Sequence, residues 1–204
     1  MKILGLSGGV ASGKNFVAEI FFEKGAAVFD ADKEVHKLLE LDKSTISAVK
    51  KNFPQSFVAD KIERKILAKI VFADEKKLRI LEKILHPKVR KKYQIFLQES
   101  EKQKKKIVVL NIPLLLETEA YKCDKIVAII ASPSIQKKRF LARARKNNPQ
   151  IFSSEKKNLE KKFHQIKTKQ VSNQARKAKA DFIVNTSKSK ADTINQVQKI
   201  ISSF

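Results

Sequence analysis

The sequence predicts a three-layer α/β/α fold on a mainly parallel sheet of about five strands, with two helical excursions. Three observations predict it. Short, continuously apolar runs alternate with segments of helical period, the pattern of parallel strands covered on both faces by helices. All five glycines, Gly5, Gly8, Gly9, Gly13 and Gly25, fall in the first 25 residues, so the backbone there has a task that side chains would obstruct. Two connections, from residue 29 to 107 and from 131 to 181, far exceed the dozen or so residues a parallel crossover needs.

Residues 2–7 read as a buried strand. Residues 14–24 read as a helix with Val17, Ile20 and Phe21 on one face and Gly25 just past its end. A second short strand covers 26–29. Short helices fit 33–40, 44–52, 63–73, 74–85 and 88–101. His86 precedes Pro87, which pushes its backbone toward extended geometry and predicts a break between the last two. Residues 102–106 read as a charged loop. Strands follow at 107–112 and 125–130. Helices at 134–146 and 154–170 come next, the second with Leu159, Phe163 and Ile166 as its apolar stripe. A last strand is predicted at 181–184. A closing helix covers 191–204, with Ile194, Val197, Ile201 and Phe204 on one side. The expected division is a core of 1–31, 106–133 and 178–204, a substrate-binding insertion at 32–105, and a lid at 134–177.

The chain has 204 residues, enough for one domain with insertions. With 42% hydrophobic and 32% charged residues its composition is that of an ordinary globular protein. No apolar run approaches the ~18 residues of a membrane span, and the start carries no signal-peptide pattern. A single cysteine, Cys123, excludes an internal disulfide framework and multi-cysteine metal sites. The expected setting is cytoplasmic. The net charge is +23, and only seven of the 44 basic residues are arginine. Such a field suits nucleic acid, an anionic surface or a polyanionic small substrate. The lysines appear in every segment rather than in one stripe, which disfavours a nucleic-acid-binding protein, and neither specific nucleic acid nor membrane is expected as a partner.

Residues 8–14, Gly-Gly-Val-Ala-Ser-Gly-Lys, follow a strand and open a helix. This is the G-x-x-x-x-G-K phosphate loop, or P-loop, in its required context. Small residues let successive backbone N–H groups turn toward phosphate oxygens, the helix start adds partial positive charge, and Lys14 reaches the terminal phosphates. The nucleotide-binding candidates are therefore Gly8, Gly9, Val10, Ala11, Ser12, Gly13, Lys14, Asn15 and Phe16. The motif expects Ser or Thr after the lysine as a Mg2+ ligand. Asn15 stands there instead, either as an amide-oxygen ligand or as a cap of the loop.

Asp30-Ala31-Asp32 follows the second strand at once. A carboxylate at the carboxyl edge of such a sheet can orient and deprotonate an acceptor hydroxyl in phosphoryl transfer. Equally, Asp30 or Asp32 can cap the helix that begins there.

At these residues the sequence resembles the dephospho-coenzyme A kinases, a family of P-loop nucleoside-triphosphate-hydrolase-like fold. The resemblance covers nearly the whole chain. Its blocks are residues 5–14, 28–32 with His36, Arg64 with Val71 and Phe72, Leu81 and Glu82 with His86 and Pro87, and 112–117. Gln136 with Arg139 and Arg143, and Gln170 with 180–185, complete it. It implies transfer of the γ-phosphate of ATP, with Mg2+, to the ribose 3′-hydroxyl of dephospho-coenzyme A. The alternative is a P-loop kinase for another small acceptor such as a nucleotide. The resemblance implies that Asp32 handles the hydroxyl, that Lys14 and the loop amides hold the ATP phosphates, and that Arg139 and Arg143 close from the lid. His36, Arg64 and His86 are candidate contacts for the acceptor, and Asn15 and Asp30 for the metal. His36 and His86 also fit exposed or packing roles, and Glu117 a helix-terminus acid. Arg139 and Arg143, four apart on one helical face, favour bidentate phosphate recognition. His164 and Cys123 read as structural. The chain departs from the family's usual pattern at Asn15, at Asn111 and at Ala11, where glycine is common; Ala11 is expected to be tolerated with negative φ.

Overall fold

In the computed structural model, which describes residues 1–113, 115–118, 121–147, 149–150 and 152–204, the apolar runs form a five-stranded parallel sheet. The strands are β1 (Lys2–Gly8), β2 (Ala27–Asp30), β5 (Ile107–Asn111), β6 (Lys125–Ile130) and β7 (Phe182–Asn185), in the order β2-β5-β1-β6-β7. Along the chain, β2 and β5 are separated by a segment that includes a small antiparallel hairpin, a separate sheet of β3 (Phe57–Val58) and β4 (Lys61–Ile62). The chain divides into two compact units, residues 1–29 with 100–204, and residues 30–99.

In the first unit β1 is central, parallel to β5 on one side and β6 on the other. Its Leu4 and Leu6 are fully buried with Val109, Val127, Ile129 and Val184. Helix α1 (Lys14–Glu23) buries Val17, Ala18, Ile20 and Phe21 on this sheet, as its spacing predicts. Gly25, at φ 91°, ends it: its N–H reaches Phe22 C=O at 2.9 Å and Ala26 N–H reaches Phe21 C=O at 3.0 Å, a Schellman stop that favours glycine. The closing helix α10 (Lys190–Ile201) starts with a Ser189–Asp192 capping box and buries Val197 and Ile200. It stops short of Phe204, whose ring meets Phe182 edge-on at 5.9 Å instead of extending the helical stripe. After β6 come α7 (Pro133–Asn147), α8 (Phe152–Thr168) and α9 (Asn173–Ala178). Phe140 and Phe163 join α7 to α8 with ring centroids 5.6 Å apart.

The second unit holds α2 (Ala31–Leu41), α3 (Lys43–Asn52), a 3-10 turn at Pro54–Ser56, the hairpin, α4 (Arg64–Phe72) and nearly all of α5 (Glu75–Lys102). Asp42 sits at the α2–α3 corner and accepts from the Ser44 and Thr45 hydroxyls, the Thr45 N–H and Lys88 Nζ, each at 2.7 Å. These donors, the Lys88 ammonium foremost, hold its carboxyl well below the usual range. The predicted break at His86–Pro87 is absent. Helix α5 runs for 28 residues with Pro87 inside it. A proline there forfeits one backbone hydrogen bond and costs about 3 kcal/mol. Leu85 and Val89, four apart across the proline, are both buried, so continuing the helix keeps one apolar face in register.

Three elements have no counterpart in the sequence reading. The hairpin turns on Ala59 and Asp60, both at positive φ (47° and 60°), without the glycine or asparagine that would announce it. The short helices α6 (Leu115–Thr118) and α9 are too brief for a periodic signal. Among the described residues no helix is long and apolar enough to cross a membrane.

Candidate active site

The loop at residues 8–14 leaves the end of β1 and enters α1 at Gly13. Gly13 has φ 91° and Ala11 φ 54°. Left-handed residues set among right-handed ones turn successive N–H groups to one side, the concavity that binds phosphate. The sequence reading had Ala11 tolerated on the condition of a negative φ, and the structure does not meet that condition. An alanine Cβ in this region costs about 1–2 kcal/mol, which is the physical reason for glycine there. Replacing Ala11 by glycine is therefore expected to stabilise the protein. After subtraction of the added freedom of the unfolded chain the gain is about 0.5–1 kcal/mol, a Tm rise of roughly 2 °C in thermal melts.

Within the loop, Ser12 N–H donates to Gly9 C=O at 3.1 Å. The Ser12 hydroxyl is buried and has no hydrogen-bond partner among the described residues. Gly8 packs so closely that a methyl group on it would lie 2.5 Å from Ser12 Oγ. Lys14 begins α1 and its ammonium donates to Ile112 C=O at 3.0 Å. The first turn of α1 carries no acidic residue, so its end is left attractive to an anion. Asn15 is exposed, and its Oδ1 accepts from Asn111 Nδ2 at 3.2 Å. Two of the three departures from the family pattern thus meet. The half-buried Phe16 ring lies 5.8 Å from the Lys190 ammonium.

Thr186, just after β7, is buried and donates its hydroxyl to Ser12 C=O at 2.6 Å. Arg139 on α7 holds Thr186 with both terminal nitrogens, Nη1 to Oγ1 at 2.9 Å and Nη2 to the carbonyl at 2.6 Å. Its Nη1 is only 3.5 Å from where a Gly13 methyl would stand. The fork therefore lies beside the loop, and this position suits arginine rather than lysine because two parallel donors are used. Arg143, one turn on, is exposed. Sequence reasoning missed Thr186, which carries no motif, and Arg176 on α9, which is 2% exposed and donates through Nε to Ser7 Oγ at 3.1 Å. The scarcity of arginine among the lysines was the available signal for Arg176.

In the second unit, Asp30 is the N-cap of α2, its Oδ1 accepting from Lys33 N–H at 3.0 Å. Asp32 lies in the first turn of that helix and is exposed. His36 and Arg64 come together on the wall of a cavity of about 390 Å³, with Lys61, the acidic Glu40 and Asp60, and the apolar Leu39, Ile46 and Ile62. His86 is exposed on α5 and is not on this wall among the described residues. Leu114, in the block at 112–117, lies outside the described residues, as does the side chain of Glu117. Burial pushes the Cys123 thiol up to about 11, aided by the Asp124 charge, so it is a poor nucleophile. His164 is exposed and meets the Phe163 ring edge-on.

Three comparisons with known proteins bear on these residues. The family model described as "Dephospho-CoA kinase" matches residues 2–192. The dephospho-CoA kinase of Bartonella henselae is 40% identical over 205 residues, covering 100% of this chain and 98% of that protein. That of Wolbachia pipientis wMel is 38% identical, covering 99% and 97%. The solved dephospho-CoA kinase from Campylobacter jejuni superposes with a TM-score of 0.62 at 26% identity, covering 99% of this chain and 96% of that one. With a match along nearly its whole length and a phosphate loop in place at the end of β1, the chain belongs to the dephospho-CoA kinase family, phosphotransferases that act on a hydroxyl group.

Proposed function

We propose that this protein transfers the γ-phosphate of ATP to the ribose 3′-hydroxyl of dephospho-CoA, giving coenzyme A and ADP. The observation that carries the reading is the loop at residues 8–14, with left-handed Ala11 and Gly13 and the Arg139 fork beside it. In this reading the loop of residues 8–13 surrounds the phosphate tail with the backbone amides that remain once Val10 N–H is held by Gln170 Oε1 and Ser12 N–H by Gly9 C=O, and the buried Ser12 hydroxyl supports an anionic occupant. Lys14 swings from Ile112 C=O to the β- and γ-phosphates. Asn15 and Phe16 complete the nucleotide contacts. Arg139, with Arg143 behind it, leaves Thr186 to neutralise charge on the transferring group. The 3′-oxygen forms its bond to the γ-phosphorus as the bond to the β-bridging oxygen breaks, and Asp32 takes the hydroxyl proton.

Segment 32–105 serves as the acceptor-binding insertion and 134–177 as the lid. The cavity lined by His36 and Arg64 supports the first assignment, because it offers the basic side chains of His36, Lys61 and Arg64 beside apolar walls, with the carboxylates of Glu40 and Asp60 also on its lining, for a ligand that is part phosphate, part alkyl chain. His86 is the weaker contact, being off that wall. The single cysteine and the charged metabolites used as substrates support a cytoplasmic site of action.

Mg2+ would supply charge neutralisation at the phosphates. Among the described residues there is no cluster of three His, Cys, Asp or Glu side chains that could hold a metal, and Asn15 and Asp30 are the candidate oxygen donors for it. Asn15 Oδ1 fits that part, oriented by Asn111 and with a second lone pair. Asp30 Oδ1 is given to the α2 cap. Asn15→Ser is expected to lower the Mg2+ concentration for half-maximal rate roughly three- to tenfold, measured by Mg2+ titration at fixed ATP.

A coupled assay of ADP release over a panel of acceptors tests the function. Turnover with dephospho-CoA is the expected result. No turnover with it, alongside turnover of a nucleotide or another small alcohol, would overturn the assignment.

A further inference from the structure

The phosphate loop is held from outside by side chains far along the chain. Both polar groups of Val10 are taken by carboxamides. Its N–H donates to Gln170 Oε1 at 2.8 Å, and its C=O accepts from Gln136 Nε2 at 2.9 Å. Gln136 is on α7 and 2% exposed, so its amide has few alternatives to this bond. Gln170 lies just past α8 and is half-buried. Arg176, on α9, joins them. Its Nε donates to Ser7 Oγ at 3.1 Å and its Nη1 to Val171 C=O, so it grips the last part of β1 just ahead of the loop.

These three side chains meet over Gly9. A methyl group on Gly9 would lie 3.2 Å from Gln136 Nε2, 3.4 Å from Gln170 Oε1 and 3.7 Å from Arg176 Nη1. Gly9 thus provides the space in which three polar heads close on the loop backbone. The partners are 126, 160 and 169 residues away in sequence. None of the three is itself assigned to hold phosphate; Gln136 and Gln170 act through the Val10 peptide, and Arg176 through the end of β1.

We infer that Gln136, Gln170 and Arg176 are positioning residues that fix the conformation of the nucleotide loop and thereby set its affinity for ATP, an inference that rests on the reading of this loop as the ATP site. The polarity of the two amides is dictated by the backbone. A peptide N–H requires an acceptor at position 170, and a peptide C=O requires a donor at position 136. A glutamate serves at 170 but sets a carboxylate against a carbonyl at 136.

The test compares Gln136→Glu with Gln170→Glu. Both add the same charge beside the same peptide, so generic repulsion of phosphate is common to both and the difference reports hydrogen-bond polarity. ATP affinity is read by calorimetry, KM by steady-state kinetics with each substrate, and folding by thermal melts. Gln136→Glu is expected to raise the ATP Kd and KM at least tenfold beyond Gln170→Glu, the usual consequence of a lost hydrogen bond facing an unpaired buried group. KM for dephospho-CoA stays within about twofold of wild type in both. Equal ATP Kd values for the two variants overturn the inference, as does an equal rise in both KM values. Should Gln136→Glu fail to fold, Gln170→Met and Gln170→Glu decide. Methionine cannot accept the Val10 N–H and is expected to weaken ATP binding roughly tenfold relative to glutamate; a Met variant that binds ATP at least as well as the Glu variant overturns the inference. Wild-type protein that takes up no ATP would sink the ATP-site reading itself, a separate outcome visible before any variant is made.

Discussion

Asp32→Asn lowers turnover with dephospho-CoA by roughly 10²- to 10⁴-fold, the range for loss of a general base, and leaves ATP affinity nearly unchanged. The substitution keeps the size of the side chain and its place in the first turn of α2. It removes the charge that, in the proposed mechanism, orients the acceptor hydroxyl and receives its proton. Asn cannot accept that proton at any accessible pH. The helix start is insulated from the change, because its cap is Asp30, bonded to Lys33 N–H. A fall in rate with an unaltered melt and unaltered ATP calorimetry is the signature expected of a residue acting on the acceptor. A rate within threefold of wild type would remove Asp32 from the reaction.

Lys14→Met has the next largest effect, a loss of roughly 10²- to 10³-fold in kcat/KM for ATP. Methionine preserves much of the apolar stem and deletes the ammonium. In the structure that ammonium sits on Ile112 C=O at 3.0 Å, at the exit of β5 and beside the loop it serves. One hydrogen bond to a carbonyl is a small loss for folding, about 1 kcal/mol. The loss at a phosphate bearing several negative charges is larger, and it grows as the bridging bond breaks. Steady-state kinetics paired with a thermal melt separates the two. A variant that melts several degrees lower and retains most of its kcat/KM would mean that Lys14 is a structural contact to Ile112.

Most of the sheet and the phosphate loop were legible in the sequence because their signals are local. Residues 125–130 read as a strand and are one, since the continuous apolar run of five that follows Lys125 suits a sheet covered on both faces. Gly13, Lys14 and the clustered glycines announce the loop through seven consecutive positions. The same locality explains the failures. Pro87 is a strong local signal for a break, and it was overruled by the burial of Leu85 and Val89 on either side. Ala59 adopts positive φ in a tight hairpin turn where glycine or asparagine is usual, beside Asp60, which tolerates that region and is held by the Lys50–Asp60 ion pair at 2.8 Å. The αL backbone of Ala11 is invisible in its residue type.

What the sequence by itself determined was the family and the loop: glycines opening a helix, a lysine at its first position, and a family pattern along the chain. Tertiary structure decided how that loop is held. Thr186 on the Ser12 carbonyl, the Arg139 fork on Thr186, and the amides of Gln136 and Gln170 on Val10 all come from more than 120 residues away. The physical reason is that a loop of small residues has few side chains with which to fix its own backbone. Its polar groups must find partners wherever the fold brings them, and no periodicity or spacing along the chain encodes that meeting.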